Sequence, residues 1–143
     1  MKVVIDTCVI LDVLQKREPF FMEATEIFFA VATKKCEGII TAKAITDIHY
    51  LFKREIRDEK SVRFVLQVLF SVFKIVDTLS VDCYLATLSE IADYEDAVMV
   101  ETAKRMGFDG IITRNLKDYR LSPIKIFSPE EFLTLLNEHN RTD

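Results

Sequence analysis

The apolar positions of this chain fall into two spacings that alternate from end to end. Val3, Val4 and Ile5 form an unbroken run, the pattern of a strand covered on both faces. Similar short runs recur at Gly38 to Thr41, Lys74 to Thr78 and Gly110 to Thr113, with a shorter one at Ile124 to Phe127. Between them the spacing becomes helical. Val9, Val13 and Leu14 mark one side of a short helix ending near Lys16, and Phe20, Ala24, Ile27, Phe28 and Val31 line a second. Pro19 suits the first position of that second helix, where its missing N–H costs nothing.

Ile45, Ile48 and Phe52 give a core stripe to a helix over 42–54, followed by a segment capped by Asp58 and apolar on nearly every side through Phe73. That segment predicts a helix buried on more than one side, the second against a partner subunit. Ser80 is a candidate cap for a helix through Ile91. Asp93 opens another running to Met106, and Gly107 ends it. Ser128 and Glu131 have capping-box spacing and start a last helix through about Leu136.

Strands alternating with helices predict an α/β fold with a mainly parallel sheet, covered on both faces and joined by right-handed crossovers. No linker or repeat divides the sequence, so one domain over 1–143 is expected, with a polar tail from about Asn137. A domain of this length buries about 70% of its unfolded surface without needing staples.

Composition narrows the setting. Cys8, Cys36 and Cys83 are odd in number and form no Cys-x-x-Cys pair, so they read as free thiols in a reducing compartment. No signal-peptide pattern and no apolar run long enough for a membrane span is present, which makes a soluble cytoplasmic protein the expectation. The 19 basic and 23 acidic residues give a net charge of -4, which argues against non-specific nucleic-acid binding. Two bound divalent cations would cancel that excess.

The acids carry the candidate chemistry. Asp6 ends the first strand directly after three apolar residues, although Asp is depleted from strands. Asp47 lies in the helix after the second strand, Asp96 in the first turn of the helix opened by Asp93, and Asp118 after the fourth strand. All four positions belong to one edge of a parallel sheet, where ligands of such folds bind. Two carboxylates ~4 Å apart repel by about 4 kcal/mol at an effective dielectric of 20, so their convergence calls for a cation. Oxygen ligands without His or Cys favour magnesium or manganese, and metal-assisted hydrolysis is the chemistry that follows.

Each acid also has a plainer reading. Asp93 and Asp96 suit a helix start, Asp47 an exposed helix face, and Asp118 a turn. His49 and His139 have no metal-like neighbours at helical spacing. Tyr50, Lys53 and Arg54 are candidate phosphate contacts, with Arg114 and Lys117 better placed beside Asp118. Phe64, Phe70 and Phe73 follow helical spacing and read as core or dimer contact rather than base-stacking platforms.

Val-Ile-Asp-Thr at 4–7, Thr-Asp-Ile-His-Tyr at 46–50, Asp-Tyr-Glu-Asp-Ala at 93–97 and Ile-Thr-Arg-Asn-Leu-Lys-Asp-Tyr at 112–119 together resemble the PIN-domain ribonucleases, from Lys2 to about Leu135. The resemblance implies a three-layer α/β/α sandwich with a five-stranded parallel sheet, an acidic pocket for Mg2+ or Mn2+, and endonucleolytic cleavage of RNA. Many bacterial and archaeal members of this size are VapC-type toxins, dimeric and inhibited by a small antitoxin. On that likeness the catalytic acids are Asp6, Asp47, Asp96 and Asp118, with Asp6, Asp96 and Asp118 as metal ligands, Asp47 orienting the attacking water, and Thr7, Asp93, Thr113 and Asn115 in support. Two departures stand out: Cys8 replaces the usual Asn or Ser, and Asp47 is shorter than the usual Glu. They motivate the alternative, a catalytically weak PIN-like module that binds RNA or protein.

Overall fold

The computed structural model describes residues 1–142; Asp143, the end of the expected polar tail, lies outside the described residues. Five strands, β1 (Lys2–Ile5), β2 (Glu37–Thr41), β3 (Lys74–Val76), β4 (Gly110–Ile112) and β5 (Ile126–Phe127), form a single sheet. All four strand pairings are parallel. Among the described residues, seven helices surround it: α1 (Thr7–Leu14), α2 (Phe21–Ala32), α3 (Ala42–Ile56), α4 (Glu59–Val72), α5 (Ser80–Ala86), α6 (Tyr94–Met106) and α7 (Pro129–Thr142). The α/β class and the five-stranded parallel sheet are those the sequence predicts.

The strand order β3-β2-β1-β4-β5 explains where a site can form. The chain winds outward from β1 to β3, then returns to add β4 on the other side of β1. Right-handed crossovers place helices on opposite faces for the two directions. Accordingly α7, α2, α1, α3 and α4 pack one against the next, whereas α5 and α6 pack on each other. The reversal leaves a crevice outside the ends of β1 and β4, the switch point at which ligands bind in open parallel sheets.

The central strands supply the core. Val3, Val4, Ile5, Ile39, Ile40, Ile111 and Ile112 are fully buried, which is why these runs do not alternate with polar residues. Gly38 allows the sheet and its cover to approach: a Cβ there would lie 2.6 Å from Val31 Cγ2 and 2.9 Å from Phe73 Cδ1.

Several boundaries move for identifiable reasons. The helix predicted through Ile91 ends at Ala86, and its cap position is Leu79, whose N–H is taken by the Asp82 carboxylate at 2.9 Å. The last helix continues to Thr142 instead of stopping near Leu136, started by the expected reciprocal bonds of Ser128 and Glu131. α4 is not buried on every side within one chain: Val62 and Leu69 face the core, while Phe64 (66% exposed), Val68 and Phe70 face outward. Its apolar outer surface therefore faces solvent in the single chain.

Candidate active site

Asp6 occupies the N-cap position of α1. Its N–H bonds to Ile112 O at 3.0 Å and its carbonyl takes the N–H of Val9 at 3.1 Å, so the backbone is fixed from both sides. The side chain makes no capping bond and turns instead toward β4. The register pairs Ile5 with Ile112, which sets the next residues, Asp6 and Thr113, side by side. The Thr113 hydroxyl donates to Asp6 Oδ2 at 2.7 Å and receives the Asn115 N–H at 3.0 Å.

Asp6 Oδ2 also lies 3.2 Å from the Tyr119 hydroxyl and takes the Cys8 thiol at 3.7 Å. Among the described residues, every side-chain donor to Asp6 reaches this one oxygen. Burial pushes the Asp6 carboxyl above its ordinary range, opposed by these bonds. Burial and the Asp6 charge also push the Cys8 thiol up to about 11. Cys8 is thus a neutral thiol that donates to Asp6 rather than a thiolate nucleophile.

Asp96 arrives from the other face of the sheet. Asp93 caps α6 by accepting the Asp96 N–H at 3.0 Å, and this cap places Asp96 in the first turn. Its Oδ1 lies 3.0 Å from the same Tyr119 hydroxyl that meets Asp6. Burial, followed by the negative charge of Asp6, raises the Asp96 carboxyl to about 7, with Asp93 and Asp118 adding to the push. Such a cluster of perturbed acids in a crevice marks a functional site.

A cavity of about 440 Å³ opens at this edge, lined by Asp6, Asp47 and Asp96 with Thr7, Tyr50 and Asn115. Lys43, Arg17 and Glu95 complete its polar lining. Lys43 Nζ lies 2.5 Å from Asp47 and 3.0 Å from Glu95, tying α3 to α6 across the cavity. Asp47 is therefore already partnered by an ammonium group one helical turn away.

The remaining predicted residues lie around this pocket rather than on its wall. Asp118 is exposed in the 3-10 turn Leu116–Tyr119, close enough for its charge to act on Asp96. Lys117 is exposed in the same turn. Thr113 sits beneath Asp6, fully buried. Lys53 turns to Glu59 at 2.8 Å, which His49 and Arg63 also hold. Arg114 donates twice to the buried Asp12, at 2.6 and 3.0 Å, and stacks over Phe20 with 3.8 Å to the ring centroid.

Sequence reasoning passed over Lys43, Tyr119, Arg17 and Asp12. For Lys43 a signal existed, since an ammonium group four residues before Asp47 shares its helix face. For Asp12 none did, because its partner is 102 residues away.

Among the described residues, no three His, Cys, Asp or Glu side chains gather into a ready-made metal cage. The site nonetheless fits a cation of one kind. Asp6 Oδ1 and Asp96 Oδ2 are left without side-chain donors among the described residues, and the donor set is oxygen alone. Magnesium binds through one or two carboxylates while retaining several waters, whereas zinc prefers closed sites of nitrogen and sulfur.

A model of the PIN domain matches residues 2–117. No curated protein matches the sequence. Among solved structures, the chain is similar to one from a toxin-antitoxin complex of Klebsiella pneumoniae (23% identity, TM-score 0.64, covering 89% of this chain and 97% of that one). It is also similar to one from VapBC2 of Rickettsia felis bound to a promoter DNA fragment (14%, TM-score 0.67, covering 90% and 98%). A third is VapC20 of Mycobacterium tuberculosis, a Sarcin-Ricin loop cleaving toxin (10%, TM-score 0.66, covering 82% and 93%).

Proposed function

The chain belongs to the PIN-domain family, and from that premise we propose that it is an endoribonuclease dependent on Mg2+ or Mn2+, acting as the toxin of a toxin-antitoxin pair. The observation that carries this reading is the juxtaposition of Asp6 and Asp96, from opposite layers, on either side of one hydroxyl at the edge of a cavity. A buried carboxylate and a half-buried one held so closely suit a divalent cation better than any uncharged ligand.

Asp6 and Asp96 would hold the metal, and Asp118 would contribute charge from its turn. The metal would supply a coordinated water of lowered pKa and offset negative charge on the leaving oxygen. Asp47, on the opposite wall, orients the attacking water once Lys43 shifts toward the substrate phosphate. Tyr50, 63% exposed at the cavity, offers a face on which a base can stack, with Arg54 5.8 Å from its ring centroid. Arg114, committed to Asp12, holds the loop that carries Asn115; Lys117 remains available to a phosphate.

The similarity to a chain from a toxin-antitoxin complex supports, as partner, the small antitoxin that the family resemblance implies. The exposed Phe64, Val68 and Phe70 of α4 suit a second copy of the chain. Among the described residues, no helix is long and apolar enough to cross a membrane.

A second reading, a PIN-like module that binds RNA or protein with weak catalysis, is favoured by the Lys43–Asp47 pair and by Cys8 beside Asp6. Incubating the purified chain with RNA and with DNA of the same sequence, in Mg2+ or Mn2+ and then with chelator, separates the two. RNA cleavage that stops on chelation supports the enzyme. Tight RNA binding without hydrolysis in either metal overturns it in favour of the module.

A further inference from the structure

Tyr119 is the largest fully buried side chain of the domain, 1% exposed, yet its polar end does not face water or the backbone. The hydroxyl lies between Asp6 Oδ2 at 3.2 Å and Asp96 Oδ1 at 3.0 Å, with Met99 Sδ at 3.7 Å. A phenol buried only for packing would leave two carboxylates facing each other across an apolar gap. Here one oxygen of each lies within hydrogen-bond distance of the same hydroxyl, whose single proton is donated to one carboxylate at a time.

We propose that Tyr119 is a positioning residue that sets the spacing of Asp6 and Asp96 and aims their free oxygens, Asp6 Oδ1 and Asp96 Oδ2, at one divalent cation. The inference rests on the metal-binding reading above and goes beyond it by naming a third group that shapes the site without touching the metal. Among the described residues, Thr113 and Tyr119 both reach Asp6 Oδ2, so that oxygen is engaged and Oδ1 is the one left free of side-chain donors. Among the same residues, the Asp96 side chain has only Tyr119 as a hydrogen-bond partner. The α6 carboxylate is thus oriented through the ring that also orients Asp6, which couples the two layers of the fold at the site.

Groups behind metal ligands fix ligand orientation, and their loss commonly costs about 10–100-fold in metal affinity or activity. The hydroxyl can be removed without disturbing the ring. Tyr119→Phe keeps the packing against the core and deletes the single atom in question.

Terbium offers a readout independent of catalysis. The chain has no Trp and four Tyr, so emission from bound Tb3+ excited through aromatic absorption comes from a nearby tyrosine. Wild-type protein is expected to bind Tb3+ with tyrosine-sensitised emission and Mn2+ with measurable affinity. Tyr119→Phe should bind both Tb3+ and Mn2+ at least 10-fold more weakly, with the tyrosines that remain, Tyr50 at the cavity among them, still reporting Tb3+ and with a metal-free Tm close to wild type. Wild-type Mn2+ affinity in Tyr119→Phe, or a lowered metal-free Tm with unchanged affinity, overturns the positioning role and leaves the metal site standing. Absence of Mn2+ binding by the wild type overturns both.

Discussion

Arg114 reaches back across 102 residues to grip Asp12 with two hydrogen bonds, of 2.6 and 3.0 Å. Asp12 is fully buried in α1, and the guanidinium lies over Phe20 at the entry to α2. The loop after β4, which carries Asn115 and Asp118, is thereby fixed to the helix that Asp6 begins. Bidentate Arg–carboxylate pairs are directional as well as strong, so this clamp restrains the angle of the loop in addition to its position.

Removing one partner of a buried pair leaves the other charge uncompensated, at a cost of about 3 kcal/mol or more. Arg114→Ala is expected to lower Tm by ~10 °C in thermal unfolding. An Arg114→Ala protein as stable as wild type would show that the clamp carries no structural weight.

Asp96 makes the metal-free protein sensitive to pH in a defined direction. Its carboxyl is raised to about 7 in the folded state, from 3.8. The folded form therefore binds the proton more tightly, and the stability this contributes is present at low pH and lost as pH rises through about 7. In chelator, Asp96→Asn should match wild type near pH 5 and exceed it near pH 8. Each 1 kcal/mol gained corresponds to ~4 °C in Tm. Equal differences at both pH values would contradict the charge crowding described for this pocket.

Lys43 neutralises Asp47 and Glu95 from within the cavity. Lys43→Met removes a cation from the metal's surroundings and should tighten Mn2+ binding about fivefold, the ~1 kcal/mol exerted by unit charges a few Å apart in a water-like dielectric. The same change should weaken RNA binding, measured with catalysis suppressed by chelator. Tighter RNA binding in Lys43→Met would remove the lysine from the substrate path.

Much of this architecture was legible in the chain, and the illegible parts have a common cause. The strand runs at Val3 to Ile5 and Gly38 to Thr41 announce themselves because buried parallel strands tolerate little polarity. Asp6 stands out against such a run. Asp96 is readable as a helix-start acid on the same sheet edge, but its approach to Asp6 needs the strand order β3-β2-β1-β4-β5, which the sequence pattern leaves open. Tyr119 closes the motif at 112–119, but its hydroxyl acquires meaning only from two carboxylates 113 and 23 residues away.

α4 shows where the pattern stops. Its apolar residues predict a helix covered on more than one side, the second by a partner subunit, and Phe64 and Phe70 are exposed in the single chain. Hydrophobic pattern reports which faces need cover and is silent on whether the same chain provides it. Asp12 escapes the sequence for a related reason, since its pairing with Arg114 across 102 residues leaves no local trace.

A titration of the purified, chelator-stripped chain with Mn2+, followed by calorimetry at pH 7.5, decides whether Asp6 and Asp96 build a metal site. Saturable binding by wild type is expected, with Asp6→Asn and Asp96→Asn each folded but binding at least 10-fold more weakly. Wild-type protein that binds no Mn2+, or an Asp6→Asn protein that binds it as tightly as wild type, would contradict a metal site built on Asp6 and Asp96.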